Sequence, residues 1–258
     1  PDDLPYFSRK YYNYFFPKFA NKATRIGTVS NYSRKDICFH YDVSEQKVDV
    51  LYNGANEIYK PLDHNVIENT RKEVAGGFPY FIFIGTLHPR KNIPGLLKAY
   101  EKFRSKSGQQ EKLVIVGERF FLTQEIDQTL RSMKFNDDVL FVGRLVPEKL
   151  HRILGSARAL CFVPYIEGFG IPVVEAMKCG IPVIASDATS VPEVGGNAAL
   201  YSAADDTDMI AENMSMVSSD EGLRKKMSSM SLERAKIFSW DKIAGRFWNL
   251  IEKVFVDA

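Results

Sequence analysis

The amino-acid sequence predicts an α/β fold built on a parallel, doubly wound sheet. Three observations predict it. From residue 79 onward, short β-branched and aromatic runs alternate with amphipathic helical stretches, each pair separated by Gly or Pro. The strand-like runs are almost wholly apolar instead of alternating, as in strands buried on both faces. Finally, 258 residues of ordinary globular composition, 45% hydrophobic and 26% charged, suffice for one large or two smaller cored domains.

Taken in order, PYFIFIG (79–85) leads to a helix over Ile93–Ser105, KLVIVG (112–117) to Thr123–Met133, and VLFVG (139–143) to Pro147–Ser156. ALCFVP (159–164) precedes a helix over Pro172–Lys178, and IPVIAS (181–186) a short one near Pro192. AALYS (198–202) precedes helices across 206–236. SWDKIAGRFWNLIEKV (239–254) adds an amphipathic helix with Trp240, Ile243, Phe247, Leu250, Ile251 and Val254 on one face. The first 60 residues differ. RIGTVS (25–30) and KVDVLYNG (47–54) flank a helical stretch, too small a sheet to stand alone. Residues 1–20 carry eight aromatics with Arg9, Lys10 and Lys18 among them. This portion reads as the remnant of a second α/β domain.

Composition excludes several functions. Lys and Arg number 34 against 32 acids, a scattered net charge of +2 that gives no electrostatic case for nucleic acid. No run of about 18 apolar residues could span a bilayer. Cys38, Cys161 and Cys179 lack CxxC spacing and read as reduced thiols of a cytoplasmic protein. The four histidines are dispersed, with no metal-binding pair. No GxGxxG follows a strand, which disfavours a dehydrogenase.

Ligands of such sheets bind outside the carboxyl ends of the strands. The segments to inspect are therefore Gly85–Asn92, Gly117–Phe120, Gly143–Glu148, Pro164–Gly170 and Ser186–Ser190. The fourth runs into EGFGIPVVEAM (167–177). Gly168 and Gly170 permit backbone conformations closed to other residues and bring amides near a ligand. Pro172 suits the first turn of a helix, whose open N–H groups cradle phosphate. Glu175, one turn inside, is an acceptor suited to a cis-diol such as ribose. Glu167 lies across the turn, where it could face a sugar on that phosphate. On spacing alone, a glycine loop with one capping and one solvated glutamate explains the stretch as well.

The wider context separates the two. From about Ser30 to Trp240 the chain resembles the nucleotide-binding half of a family 4 glycosyltransferase, a retaining enzyme of two facing Rossmann-like domains, the GT-B fold. The E-x7-E spacing of Glu167 and Glu175 around GFG carries the resemblance. So do VSNYSRKDI (29–37), VLYNGAN (50–56), FIGTLHPRKNIPGLLKAY (83–100), FVGRLVPEKL (141–150), EAMKCGIPVIAS (175–186), PEVGGNAALY (192–201) and FSW (238–240), all in the family's order.

The resemblance implies roles. Lys91 would neutralise the donor pyrophosphate. Thr86, beside Gly85, stands where many relatives carry Arg, and Arg90 is the substitute, able to clamp phosphate bidentately. Gly143, Arg144, Leu145 and Val146, with Glu148 beyond, would border the base; Arg144 could instead point outward. Gly168, Phe169, Gly170 and Ile171 would present the amides of the helix start to the β-phosphate, and Glu175 would hold the ribose. Glu167 would contact the transferred sugar, so the catalytic set is Glu167, Arg90 and Lys91, with no metal and no cofactor. Glu193 and Glu118 follow strand ends without a clear role, and His88 and His151 read as structural.

The expected organisation is a remnant of an N-terminal acceptor domain and hinge (1–57), a nucleotide-sugar-binding domain (58–238) and a helix crossing back (239–258). The expected activity is transfer of a hexose, mannose from GDP-mannose ahead of a UDP-sugar, to a glycan or lipid-linked acceptor bound through a missing N-domain. The chain alone would bind donor but transfer poorly. The aromatic segment 1–20 has two readings: peripheral membrane contact at the inner face, or a surface stripped of its partner domain and prone to homodimerisation. The alternative function is a non-catalytic sugar-nucleotide-binding or assembly module.

Overall fold

The computed structural model describes residues 5–119 and 124–257. Phe120 and Thr123, which close one predicted loop and open one predicted helix, lie outside the described residues. The chain forms two compact units, Pro1–Asn53 with Trp240–Ala258, and Gly54–Ser239. Residues 54–57 count with the larger unit: Ala55 is buried, and Lys178 Nζ donates to its carbonyl (3.2 Å) while pairing with Glu57 (2.6 Å).

The smaller unit begins with helix α1 (Tyr6–Lys22), strand β1 (Ile26–Thr28), helix α2 (Asn31–Tyr41) and strand β2 (Val48–Val50). β1 and β2 pair in parallel, Ile26 opposite Val48. Ser30 starts α2 because its hydroxyl accepts the Ser33 N–H (3.0 Å), which relieves one of the helix's open donors. The core is small, with Ala20, Val43 and Val48 buried among Ile26, Ile37 and Tyr41. The aromatics of α1 mostly stack along their own helix at one-turn spacing, as Tyr12 does on Phe16 at 4.8 Å. Phe7 remains 84% exposed.

The larger unit runs α3 (His64–Ala75), β3 (Tyr80–Ile84), α4 (Ile93–Ser107), β4 (Lys112–Val116), α5 (Gln124–Ser132), β5 (Val139–Gly143) and α6 (Pro147–Gly155). It continues with β6 (Ala159–Phe162), α7 (Ile171–Lys178), β7 (Val183–Ser186), α8 (Val191–Gly195), β8 (Ala199–Ser202), α9 (Thr207–Ser219) and α10 (Glu221–Ala235). The predicted elements all appear, within two residues at the strand ends. Helix α3 has no counterpart in the sequence reading. It buries only Thr70 and Ala75, too thin a stripe to stand out, and stops at Gly76 in the left-handed conformation (φ 64°).

All six strands are parallel, in the order β5-β4-β3-β6-β7-β8. Every residue of β3, β6 and β7 is buried, which is why their letters are almost wholly apolar. Phe81 and Phe103 pack edge to face at 5.3 Å in this core, each worth roughly 2–3 kcal/mol in burial. Helices pack side by side as α4 with α9, α7 with α10 and α3 with α6. The winding reverses between β3 and β6, so the two connections that leave their carboxyl ends part in opposite directions and open a crevice.

The chain closes with α11 (Trp240–Asp257), which belongs to the smaller unit. There Lys253 pairs with Asp49 (2.5 Å) and Arg246 lies 5.0 Å from the Tyr52 ring centre. Of the predicted apolar face, Ile243 and Leu250 are buried, but Trp240 and Phe247 are half exposed. A two-stranded sheet is too narrow to cover an 18-residue helix.

Candidate functional site

The reversal point selects two of the five predicted segments. After β3, the chain passes Gly85 (φ 152°) and exposed Thr86 into a single 3-10 turn, Pro89–Lys91. His88 opens that turn, its Nδ1 accepting the Arg90 N–H at 3.3 Å, so this histidine is structural. Asn92 follows in the left-handed conformation (φ 56°) and caps α4 by accepting from Gly95 N–H (3.2 Å). Its amide donates to the carbonyls of Val163 (3.1 Å) and Ala204 (2.5 Å), which fastens the loop to the end of β6. The two neighbouring cations consequently differ: the Lys91 side chain is 10% exposed, that of Arg90 41%.

Both reach Glu167, in the loop after β6. Lys91 Nζ donates to its Oε2 and sits 5.0 Å from the Phe162 ring centre. Arg90 Nη1 lies 3.7 Å from Oε1 and donates to the Ile166 carbonyl (3.3 Å). Burial pulls the Lys91 ammonium below the ordinary lysine range, while the Glu167 carboxylate opposes that shift. A solvated pair of helix-start cations is thereby ruled out for Lys91. The Tyr165 N–H also donates to the Arg90 carbonyl (2.9 Å), joining the loops through backbone.

Glu167 is held from a third side by residues the sequence reading did not assign. Its N–H donates to Thr189 Oγ1 (3.0 Å), and its carbonyl accepts from Thr189 (2.9 Å) and Ser190 (2.7 Å). Ser186 donates to the Pro164 carbonyl (2.7 Å). The glycine-free segment Ser186–Ser190 is thus the scaffold of the acidic loop. The available signal was its run of small hydroxyl residues just past a strand end.

Past Glu167, Phe169 turns its ring into the core against Phe238 (5.6 Å), so only its backbone is available to a ligand. Gly170 (φ 98°) opens α7 with no side chain capping the helix start, Ile171 is exposed at the first position, and Val173, Val174, Ala176 and Met177 anchor the opposite face. Glu175 is partly buried and accepts a hydrogen bond from buried Tyr59. Burial raises its carboxyl above the usual glutamate value, and the Tyr59 hydroxyl pulls the other way. Tyr59 is a second residue the sequence did not reveal, because it precedes the first strand of the unit by 21 positions.

The loops after β4 and β5 stand apart. Gly117 N–H donates to the Gly143 carbonyl (3.0 Å) and Gly85 N–H to that of Val116 (2.9 Å), so the three glycines line adjacent strand ends. A Cβ at Gly117 would strike the Gly85 carbonyl. Leu145 is partly buried, and Arg144, Val146 and Glu148 are exposed. Glu118 is exposed and Glu193 partly buried beside α10, where its carbonyl accepts from Arg234. His151 is buried against Lys60 backbone (2.8 Å). Among the described residues no group of three His, Cys, Asp or Glu could hold a metal ion.

Two cations, one carboxylate, a glycine turn and an uncapped helix start thus converge at the reversal point, a set of groups suited to an anionic ligand. Known proteins share this frame. The chain is 30% identical over 222 residues to the Escherichia coli protein named O-antigen chain mannosyltransferase B, matching 86% of this chain and 58% of that one. It is 30% identical over 201 residues to the O-antigen chain mannosyltransferase RfbU of Salmonella typhimurium, matching 78% of this chain and 53% of that one. It therefore spans little more than half the length of these relatives. Anabaena HepE, solved with UDP-glucose, has the same fold, with a TM-score of 0.81 at 19% identity over 93% of this chain and 66% of its own. The profile of the glycosyl transferases group 1 matches residues 66–234. That span takes in all six strands of the larger unit and both sides of the Lys91–Glu167 pair, and on it the chain belongs to the group 1 glycosyl transferase family.

Proposed function

We propose that this chain is the donor-binding part of a retaining glycosyltransferase of surface polysaccharide synthesis, which moves mannose from GDP-mannose to a glycan or lipid-linked acceptor at the cytoplasmic face of a membrane. The observation that carries the reading is the partly buried Lys91–Glu167 pair, flanked by Arg90, at the reversal point and beside the open start of α7. Two relatives that are O-antigen mannosyltransferases support mannose and the acceptor class; the UDP-glucose of HepE keeps the uridine donor as the competing choice.

In this reading Arg90 and Lys91 take the diphosphate, and Gly168, Phe169, Gly170 and Ile171 offer backbone amides to its outer phosphate. Glu175 accepts from the ribose hydroxyls, with Tyr59 fixing its rotamer. Gly85 and Thr86 border the phosphates, and the segment from Gly143 through Arg144, Leu145 and Val146 to Glu148 runs beside the base. The bond from the anomeric carbon to the phosphate oxygen breaks, and the nucleoside diphosphate departs with the electron pair. The acceptor hydroxyl oxygen bonds on the same face and yields its proton to the departing phosphate. Charge grows on that phosphate as the bond breaks, so cations and amides already in place lower the barrier most. They take the part a metal ion would otherwise play. Glu167 lies where a carboxylate would meet the positively polarised sugar.

The exposed aromatics of α1 support a covered surface in the working protein, by a further domain or a second copy ahead of a membrane; co-sedimentation with anionic vesicles would favour the membrane instead. Among the described residues no helix is long and apolar enough to cross a bilayer. Calorimetric titration with GDP, UDP, ADP and their sugar conjugates tests the donor. Selective GDP binding, lost in Glu175→Ala and in the Arg90→Ala/Lys91→Ala pair, is the expected result. Selective UDP binding would replace the donor, and nucleotide binding that survives both variants would overturn the site.

A further inference from the structure

We infer that the larger unit carries a second anion site, for a small phosphate- or diphosphate-bearing solute, in a cavity at the amino ends of β6 and β7. The cavity measures about 490 Å³, within the range of small-molecule sites. Arg158 lines it directly before β6, and Gly180 and Pro182 directly before β7. Arg71 of α3 and Arg224, Lys225, Ser228 and Ser229 of α10 complete the polar wall. β6 alone is about 13 Å long at ~3.3 Å per residue, so this cavity and the Lys91–Glu167 crevice lie at opposite ends of the sheet.

Charge sets the class of ligand. Four cations face the cavity against a single lining carboxylate, Glu221, which pairs with Lys225 (2.7 Å). Behind the wall, buried Glu111 stands 3.6 Å from Arg158 Nε and accepts from Ser218, leaving its Oε2 and Arg158 Nε without a hydrogen-bond partner. Two of the three arginines are anchored by one edge each. Arg71 Nε donates to the Ser156 carbonyl (2.9 Å), and Arg224 Nη1 donates to the carbonyls of Val217 and Ser218 (2.8 Å each). The remaining N–H edges of these forks match the tetrahedral, bidentate demand of phosphate.

Burial holds Arg71 and Arg158 below the ordinary arginine range, and the neighbouring Arg224 adds like-charge repulsion to both. Guanidinium groups remain protonated regardless, so the wall keeps its positive charge. Two units of net positive charge, counting Glu221 and Glu111 against the four cations, match a dianion better than a chloride or a lone carboxylate.

The test is titration of the chain with inorganic phosphate and with pyrophosphate at fixed ionic strength, in a Lys91→Ala background that weakens the other crevice. One-to-one binding that survives Lys91→Ala is expected, weakened at least tenfold by Arg158→Gln. Because Arg158 also faces buried Glu111, Ser229→Glu serves as the second variant: the residue is exposed, and the change sets a carboxylate at the rim without touching an arginine anchor. It too is expected to weaken binding at least tenfold. Absence of binding in the Lys91→Ala chain, or binding that Ser229→Glu leaves unchanged, overturns the site.

Discussion

The loops after β3 and β6 leave the same edge of the same sheet as the loops after β4 and β5, and all four combine glycine with charged residues. Their construction differs. At β3 and β6, Lys91 is buried on Glu167, Asn92 reaches Val163, and Thr189 and Ser190 hold the acidic loop from behind. At β4 and β5, Arg119 pairs with Asp127 on the surface (2.6 Å, both about two-fifths exposed), and Arg144 is exposed. Exposed pairs of that kind contribute little, whereas a partly desolvated pair resists rearrangement and fixes a geometry. The same letters therefore acquire different work from their place relative to the reversal of the sheet.

The comparison is broken most directly at Lys91. In an active enzyme carrying this chain, Lys91→Ala is expected to lower kcat by about 10²–10³, the usual loss when one preorganised stabiliser of developing charge is removed; a drop below about tenfold would put the chemistry elsewhere. Next is Ser190→Ala, which deletes one hydroxyl from the Glu167 clamp while Thr189 remains. Urea unfolding should show a loss of about 1 kcal/mol, and steady-state kinetics a fall in kcat with KM nearly constant, because the hydroxyl positions Glu167 without touching donor. Unchanged kcat would mean that the clamp is ornamental.

A subtler contrast lies in pH. Burial raises the folded Glu175 carboxyl above its ordinary 4.5, so the folded chain holds a proton that the unfolded chain has lost. Its contribution to stability is therefore full below pH 4.5 and lost as pH rises through the folded value. Glu175→Gln, which keeps an acceptor for Tyr59, should stabilise the chain at neutral pH, with the gain vanishing towards pH 4 in denaturant titrations. A constant gain at all pH values would assign the effect to packing. Smallest of all, Arg144→Ala should change stability by less than about 0.5 kcal/mol and GDP affinity by less than about threefold, read by the same calorimetry.

The strands were legible because burial on both faces forces uniformly apolar runs, and PYFIFIG and KLVIVG permit little else. The loops were legible as candidates because ligands of such sheets sit at carboxyl ends. Strand order was not, since no residue of β3 announces β6 as its neighbour, and without that order Arg144 and Arg90 look alike. Tyr59, Thr189 and Ser190 escaped for a related reason: they act through single hydroxyls across 22 to 116 positions of sequence, a distance at which spacing carries no information. Trp240 and Phe247 failed the other way, having helical periodicity with no surface wide enough to use it.

Asn92 has a consequence for how freely this chain can vary. Its backbone needs a positive φ, its Oδ1 must accept from Gly95, and both amide hydrogens are committed to carbonyls. Aspartate would turn two attractions into repulsions, glycine would keep the backbone and lose every side-chain bond, and a β-branched residue would hold the angle only under strain while making none of the three bonds. Even Gly95 is pinned, since a Cβ there would collide with the Asn92 side chain. A saturation library across residues 85–95 should thus return a broad spread of letters at exposed Thr86 and a single survivor at 92, making that position a fixed point around which the rest of the loop can drift.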